Sequence, residues 1–278
     1  MGKTAGEADP VCEIVASLAS SRKYASLCPD TLHRMGCWAW ECYPDLPTAT
    51  KAAKRKLHQV FASFMGQDDV LKAQRLVETL PSCPSQDEMR SICRRIMELH
   101  SSTRERMYSL EQLYPALFAA IGGPPRRIAD LACGLHPFAI PWMGLSPDTV
   151  YMASDIDGRI VDSLNRFFER SGISAGAECR DLLADQTRVG ADLVFLMKAL
   201  PGLEQQERGG AARVLGRLEA EWVIVSTPTA SLSGRDRGMH EHYDAMVSRL
   251  VEQMGWGARE MRYGNETFYI LRTTSGGR

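Results

Sequence analysis

The stretch Arg127-Ile-Ala-Asp-Leu-Ala-Cys-Gly-Leu-His136 decides the fold of this 278-residue chain. Residues 128–132 are typical of a buried strand, with one acidic residue, Asp130, near its end. Gly134 follows, and a residue without a Cβ lets the backbone turn sharply and approach a ligand closely. Pro137 then stands at a position suited to the first turn of a helix. The segment therefore predicts a strand, a small-residue turn and a helix N-terminus, an arrangement at which nucleotides bind in α/β proteins.

The turn contains one glycine, whereas a Gly-x-Gly-x-x-Gly motif contains three. This difference disfavours a dinucleotide and favours a mononucleoside-type ligand such as S-adenosylmethionine. An ordinary strand-to-helix turn would have the same sequence features. Within the turn, Ala132 and Gly134 are the residues that we expect to contact such a cofactor.

The composition is that of an ordinary globular protein, with 44% hydrophobic residues. The length suits one large domain or two modest ones. Because the formal net charge is −1, any nucleic-acid contact must come from a local surface. The sequence has no long apolar run and no signal-peptide layout, so we expect no membrane span and a cytoplasmic protein. The eight cysteines follow no zinc-knuckle spacing, which predicts reduced thiols and no metal site.

After residue 126 the pattern changes from helical to alternating. Strands are predicted at 126–133, 149–155, 176–180, 191–198, 221–227 and 265–272. Helices are predicted at 137–144, 158–171, 204–219 and 239–254. This alternation predicts a mostly parallel sheet with helices on both faces, in which ligands bind at the carboxyl ends of the strands.

Two of these strands end in acidic residues suited to a nucleoside. Asp155, at the end of the second strand, is placed to accept both ribose hydroxyls. Asp181, at the end of the third, is placed to accept the exocyclic amine of adenine. Either carboxylate alone is more often a helix N-cap, but together with Gly134 they indicate a cofactor pocket. The residues expected to contact the cofactor at the strand ends are Asp155, Ile156, Asp181, Leu182 and Lys198.

The fourth and fifth strand ends carry no group that would activate a base for methylation. Residues 197–201 lack the Asn/Asp-Pro-Pro-aromatic segment that is typical of methyltransferases acting on exocyclic amines. Residues 226–229 lack the cysteine that carbon-5 pyrimidine methylation requires. Guanine N7 already has a free lone pair and needs only in-line positioning against the methylsulfonium. We therefore assign no catalytic residue beyond those that position the reactants.

Residues 11–120 have a helical pattern that prolines divide into short helices. One helix is predicted to continue past Leu99 into residues 100–106, where Ser101, Ser102 or Thr103 is suited to break and recap it. Residues 20–60 hold seven Lys or Arg against three Asp or Glu. Such an excess is typical of a solvated helix face, and it also suits contact with RNA phosphates. The cations expected at an RNA-binding surface are Arg22, Lys23, Lys51, Lys54, Arg55 and Lys56.

Several segments match one known family in the same order. They are His100–Arg106, Asp130–Pro137, Pro141–Leu145, Ser154–Asp157, Lys198–Glu204, Ser233–Met239 and Gly264–Glu266. Through them the chain resembles the Arm/Rmt aminoglycoside-resistance 16S rRNA methyltransferases, and the likeness spans nearly the whole chain.

The resemblance implies a class I, Rossmann-like, S-adenosylmethionine-dependent methyltransferase domain at residues 106–278. An all-helical N-terminal RNA-binding domain at residues 1–105 would precede it. The family methylates N7 of guanine 1405 in the 16S rRNA of the 30S subunit, which blocks 4,6-disubstituted deoxystreptamine antibiotics such as gentamicin and kanamycin. By position, Arg104 would hold the cofactor carboxylate, and Arg235 and Arg237 would face the RNA. We expect a monomer.

Three residues depart from the family pattern. His136 stands where relatives usually have Asn, Thr227 replaces a Phe, and Ala230 replaces a Lys or Arg. The last two changes remove an aromatic ring and a cation that would help to hold the target base. Two alternatives therefore stay open: a same-fold methyltransferase acting on a neighbouring adenine or a small molecule, and a non-catalytic RNA-binding relative. The basic excess in the helical residues 20–60, which we call the helical front, argues against a small-molecule substrate.

Overall fold

Helices fill the first part of the chain, and a sheet with interleaved helices follows. The structure, a computed structural model, describes residues 9–61, 67–229 and 237–274, without the side chains of residues 60, 61, 67 and 237–240. The leading helices α1 to α7 are Pro10–Ala19, Pro29–Cys42, Leu46–Phe61, Gln67–Glu78, Gln86–Met97, Ser101–Arg104 and Leu110–Ala120. Among the described residues, no helix is both long and apolar enough to cross a bilayer.

The second part alternates strands and helices. Strands β1 to β7 are Arg127–Leu131, Val150–Asp155, Ala175–Cys179, Val189–Met197, Leu218–Pro228, Gly257–Tyr263 and Glu266–Arg272. Helices α8 to α11 are Gly158–Ser171, Leu200–Gln206, Gly210–Leu215 and Arg237–Met254, and a 3₁₀ helix spans His136–Trp142.

In the described part of the chain the strands form one seven-stranded sheet in the order β3-β2-β1-β4-β5-β7-β6. The first five strands pair in parallel, whereas β7 is antiparallel to both β5 and β6. The strand order reverses between β1 and β4, which makes the carboxyl edge there the expected ligand site. One face of the sheet shares an apolar core with α4, α5, α7 and α8, and the other with α9 to α11. The predicted mostly parallel sheet with helices on both faces is confirmed.

Two predicted helices differ from the structure, and one strand was not predicted. The helix predicted at 204–219 is two short helices, because Gly209 adopts φ +77° between them, and β5 already begins at Leu218. Strand β6 was not predicted, because most of its side chains are exposed and its sequence lacks an apolar face. The helix predicted at 137–144 is a 3₁₀ helix, in which Pro141 removes an N–H that an α-helix would use.

The predicted helix break near residue 100 is present, but its cap was predicted wrongly. Helix α5 ends at Met97, and the His100 side chain accepts the backbone N–H of Ser102 at 3.3 Å. The Thr103 hydroxyl instead donates to the carbonyls of Met97 and His100, at 2.6 and 3.1 Å. An imidazole therefore caps α6, where hydroxyl groups were expected to do so.

The leading helices divide into two packing groups. Helices α1 to α3 bury an apolar core of their own, which includes Ile14, Met35 and Leu57. Helices α4, α5 and α7 instead pack into the core beneath the sheet. The domain boundary at residue 105 stays a prediction, while the apolar packing separates residues 10–61 from the rest.

The first packing group is attached to the end of β2 through the backbone. The Cys28 N–H donates to the Ile156 carbonyl, and the Gly158 N–H donates to the Ser26 carbonyl, both at 2.8 Å. A Cβ at position 158 would lie 2.9 Å from that Ser26 oxygen, so the close approach requires glycine. The helical front therefore contacts the loop that follows β2.

A buried ion pair attaches the segment between α6 and α7 to the sheet. Arg106 donates to both carboxylate oxygens of Glu266, at 2.8 and 2.7 Å, and the two side chains are 1% and 2% exposed. Burial would raise the pKa of Glu266, but the charge and hydrogen bonds of Arg106 hold that pKa below its ordinary value. Lys198 lies 3.6 Å from Glu266 and also pairs with Glu105. The four charges of Arg106, Glu266, Lys198 and Glu105 form a balanced cluster at the end of β4 and the start of β7.

We expect Glu266→Gln to lower the free energy of unfolding by about 3–5 kcal/mol, because it leaves the buried Arg106 guanidinium without a counter-charge. Chemical denaturation followed by circular dichroism would measure the loss. The matched control is Glu221→Gln, which breaks an exposed 3.8 Å pair with Arg272 and should cost less than about 1 kcal/mol. Equal losses in the two variants would contradict this account.

Candidate functional site

A cavity opens at the carboxyl edge of the sheet, where the strand order reverses. Its wall comes from the segments that follow β1, β2 and β4, from α9, and from the start of α6. The lining residues are His100, Ser102, Ala132, Cys133, Gly134, Asp155, Ile156, Asp157, Ile160, Met197, Lys198, Ala199, Gly202, Leu203, Gln205 and Gln206. The predicted cofactor residues among them are Ala132, Gly134, Asp155, Ile156 and Lys198. The structure thus brings together residues from three separate strand ends, as their positions predicted.

The glycine turn has the backbone conformation that its sequence indicated. Gly134 adopts φ +51°, and Ala132 adopts φ +50°, which is uncommon for a residue with a side chain. Backbone strain of this kind persists only where surrounding contacts enforce it, and it clusters at ligand sites. Here the Cys133 N–H donates to the Ser154 carbonyl at 2.9 Å, and the Gly134 N–H donates to Asp155 at 2.9 Å. The turn is therefore tied to the end of β2.

Asp155 presents a carboxylate that is partly buried and hydrogen-bonded. Its two oxygens accept the N–H groups of Gly134 and Asp157, at 2.9 and 3.0 Å. Burial raises the pKa of Asp155 to about 6, although these backbone donors partly oppose the rise. Because each carboxylate oxygen has two lone pairs, both can still accept a further hydroxyl donor. The group is suited to a vicinal diol such as that of ribose.

Lys198 is held in the cavity wall by strong local constraints. Its φ is +57°, and its N–H donates to the backbone and side-chain oxygens of Ser226, both at 3.1 Å. Its ammonium group pairs with Glu105 and Glu266. With both carboxylates as partners, this cation contributes little net charge to the cavity.

Three predicted cofactor residues lie outside the cavity lining. Arg104 is exposed on α6, whereas His100 and Ser102 of the same motif line the wall. Leu182 is buried, and its carbonyl accepts a hydrogen bond from Arg217 at 2.6 Å. The roles of Arg104 and Leu182 in cofactor binding stay predictions.

Asp181 is the third, and its carboxylate already has other partners. One oxygen accepts two hydrogen bonds from Arg34 of α2, at 3.0 and 2.8 Å, and the other accepts the Leu183 N–H at 2.8 Å. Arg34 also donates to Gln206 in the cavity wall at 2.9 Å. The predicted adenine contact of Asp181 would have to be made beside this ion pair. The role of Arg34 was not predicted, because no local signal in the sequence distinguishes it from a surface cation.

His136 lies behind the glycine turn in a buried polar cluster. Its two ring nitrogens are 2.8 Å from Asp130 and 3.0 Å from the Tyr114 hydroxyl. The Tyr151 hydroxyl donates to the same Asp130 oxygen at 2.7 Å. All four side chains are buried, and burial raises the pKa of Tyr114 and of Tyr151. The histidine supports the turn from beneath and does not line the cavity.

The family model for "Ribosomal RNA methyltransferase (FmrO)" matches residues 20–270 of the chain. The chain belongs to this ribosomal RNA methyltransferase family. The resemblance inferred from the sequence motifs is thereby confirmed. The cavity at the strand ends is the candidate active site of this methyltransferase.

Individual relatives match almost the whole chain. A protein of Micromonospora echinospora is 32% identical over 97% of this chain and 99% of its own length. One of Micromonospora rosea is 33% identical over 95% of this chain and 97% of its own length. Both relatives are named 16S rRNA (guanine(1405)-N(7))-methyltransferase.

Solved structures agree with this assignment. The methyltransferase RmtF, in complex with S-adenosyl-L-homocysteine, superposes with a TM-score of 0.83 at 30% identity, over 97% of this chain and 100% of RmtF. The 16S rRNA methylase RmtB superposes with a TM-score of 0.80 at 24% identity, over 95% of this chain and 98% of RmtB. The second likeness shows the fold alone.

The predicted RNA-binding cations of the methyltransferase separate into two groups on α3. Lys51 and Lys54 line a groove beside α1, where the Lys54 ammonium donates to the Ser17 hydroxyl at 3.1 Å. Arg55 and Lys56 line another groove, beside α2. Their periodicity explains the separation, because Lys56 is rotated by about 140° from Lys51 around the helix axis.

The other residues predicted to contact RNA lie outside α3. Arg22 is exposed, and Lys23 forms a hydrogen bond with His58. Arg235 and Ala230 lie outside the described residues, as does the side chain of Arg237. Thr227 is fully buried in β5, so its side chain does not face a target base.

We expect His136→Leu to lower the free energy of unfolding by about 2–4 kcal/mol, because Asp130 and Tyr114 would each lose a buried hydrogen-bond partner. Chemical denaturation would measure the change. Tyr151→Phe is the matched comparison, since it removes a hydroxyl from the same cluster but leaves Asp130 bonded to His136. Its cost should be about 0.5–1.5 kcal/mol. A smaller loss in His136→Leu than in Tyr151→Phe would contradict the supporting role of the histidine.

Proposed function

We propose that this methyltransferase transfers the methyl group of S-adenosylmethionine to N7 of guanine 1405 in 16S rRNA. The substrate would be the assembled 30S subunit in the cytoplasm. The methylated subunit would be resistant to gentamicin and kanamycin. The observation that carries the proposal is the near full-length similarity to relatives of that name, at 32–33% identity over 95–97% of the chain. The geometry of the cavity supports it independently.

The cavity residues fit the proposed cofactor. Asp155 would accept the ribose hydroxyls, and Ile156 and Leu203 offer apolar surface to the adenine ring. Gly134 borders open space that could hold the rest of the ligand, since a Cβ built there would meet no heavy atom within 4 Å. Bound there, S-adenosylmethionine would supply an electrophilic methyl group. The protein would supply binding, orientation and exclusion of water.

The groups around the cavity suit a target atom that needs no activation. Burial raises the pKa of Cys133 well above its ordinary value, so its thiol does not provide the thiolate that carbon-5 methylation requires. Burial and the charges of Arg106 and Lys198 lower the pKa of His100 to about 4, which keeps that imidazole neutral. Guanine N7 attacks through its own lone pair and has no proton to lose. Positioning of the base against the methyl group is then sufficient.

The RNA would be held by cations outside the cavity. On the helical front these are Arg22, Lys23, Lys51, Lys54, Arg55 and Lys56, joined by Arg235 and Arg237 after β5. Each such contact displaces condensed counterions from the RNA backbone, which provides affinity without sequence preference. Selection of the guanine would therefore rest on the shape of the assembled decoding site, since the phosphates carry no sequence information.

The proposal is tested by incubating the protein with S-adenosylmethionine and purified bacterial 30S subunits. Borohydride and aniline then cleave the RNA at N7-methylguanine, and primer extension maps the cleavage. We expect one new stop at guanine 1405, with little product on protein-free 16S rRNA. Heat-inactivated protein provides the background. A methylated adenine would favour the alternative target, and cofactor binding without any product would favour the non-catalytic relative.

The affinity for S-adenosylmethionine should depend on pH through Asp155. The ionised carboxylate accepts the ribose hydroxyls, and its pKa in the free protein is about 6. The affinity should therefore be full above that value and fall about tenfold between pH 7 and pH 5. Isothermal titration calorimetry measures it. The Asp155→Asn variant should bind more weakly at pH 7 and lose this pH dependence; a variant that keeps the same dependence would exclude Asp155 as its source.

A further inference from the structure

A second cavity lies on the helical front, between α2 and α3. Its volume is about 310 Å³, at the lower end of the range of small-ligand pockets. The lining residues are Trp38, Tyr43, Ala52, Arg55, Lys56, Gln59 and Gln205. We call this cavity the α2–α3 groove. A cavity of this size can hold one planar ring system with a short charged group. It is too small for a helix or a strand of a partner.

Two aromatic rings form one corner of the α2–α3 groove. The ring centroids of Trp38 and Tyr43 are 6.0 Å apart, and the ring planes meet at 76°. A planar base that stacks on one ring would thus present its edge to the other. Stacking on aromatic side chains is the usual way in which proteins hold an unpaired base, because every base has a π face.

Two cations border the same corner. The Lys56 ammonium lies 3.9 Å from the Trp38 ring centroid, and Arg55 is exposed one residue earlier on α3. No carboxylate in the described part of the chain forms an ion pair with Arg55 or Lys56. Glu207, which acts on Lys56 through its charge, is itself paired with Arg213 at 2.8 Å. These cations therefore lack the carboxylate partners that Arg34 and Arg106 have.

We propose that the α2–α3 groove binds one unpaired nucleotide of the RNA substrate. The base would stack in the corner of Trp38 and Tyr43 in place of the Lys56 ammonium, which would move from the Trp38 ring to contact the phosphate beside Arg55. The inference rests on the proposed action on ribosomal RNA, and it adds a binding site for a nucleotide other than the methylated guanine. This site would give the helical front a contact that reads an unpaired base, beyond the attraction of phosphates.

The position of the groove places this nucleotide close to the methyl-transfer cavity. Gln205 of α9 lines both the α2–α3 groove and the cofactor cavity. The two sites therefore adjoin at Gln205. A nucleotide held in the groove would fix the RNA in register beside the active site.

The groove is tested by the binding of 30S subunits to protein saturated with S-adenosylhomocysteine, over a range of salt concentrations. Trp38→Leu should weaken binding at least fivefold, the lower limit for loss of one stacked base, and leave the salt dependence unchanged. Arg55→Gln should reduce the slope of log affinity against log salt by about 0.7–0.9. Trp40→Leu is the matched control, because Trp40 is on the same helix, is 37% exposed, and does not line the groove. It should change neither quantity.

Ultraviolet crosslinking of the wild-type complex tests the same site without a variant. Mass spectrometry should find a nucleotide attached to the peptide that carries Trp38 or Tyr43. Crosslinks of that peptide to a ribosomal protein, or binding by a folded Trp38→Leu variant within twofold of wild type, would overturn the proposal. The methylation assay separates the two claims. Methylation at guanine 1405 without the crosslink refutes the groove alone, whereas the crosslink with methylation at another base refutes the proposed target alone.

Discussion

The ion pair between Arg106 and Glu266 is the interaction on which the arrangement of this methyltransferase depends. Two charges that are 1% and 2% exposed repay their desolvation only with near-ideal geometry, which the paired hydrogen bonds of 2.8 and 2.7 Å provide. The pair fixes the segment between α6 and α7 against β7. Through Lys198, which contacts Glu266 and lines the cavity, it also fixes the end of β4. Helix α6, whose N-terminus supplies His100 and Ser102 to the cavity, is therefore positioned by an electrostatic contact with β7.

The helical front is built into the cofactor edge of the sheet. Backbone hydrogen bonds join Ser26 and Cys28 to the loop that directly follows Asp155, the last residue of β2. The Arg34–Asp181 pair adds a second attachment at the turn after β3. Because both attachments adjoin the cavity, RNA contacts on α2 and α3 would be held at a defined distance from the methyl-transfer site. This arrangement suits an enzyme whose target selection depends on the shape of its substrate.

Much of the fold could be predicted because it depends on local properties. The glycine turn follows from the need for φ +51° at Gly134, and Asp155 follows from its position at the end of an apolar strand. The prediction failed for β6, whose mostly exposed side chains leave no alternating pattern to detect. It also failed for the helix at 204–219, where Gly209 interrupts a sequence that otherwise favours helix. Strand β6 forms because it pairs with β7, and the helix is interrupted because the chain bends at Gly209. Neither feature follows from the local periodicity.

The sequence by itself determined the alternating α/β architecture, the glycine turn and the family, since each depends on residues close together in the chain. Only the tertiary structure decided which charges are partners. Arg34 and Asp181 are 147 residues apart, and Arg106 and Glu266 are 160 apart, so no local pattern reveals either pair. The same holds for the α2–α3 groove, which needs Trp38 and Lys56 from two helices. The physical reason is that periodicity specifies which side of an element is buried, whereas the identity of the neighbour on that side is set by how the elements pack.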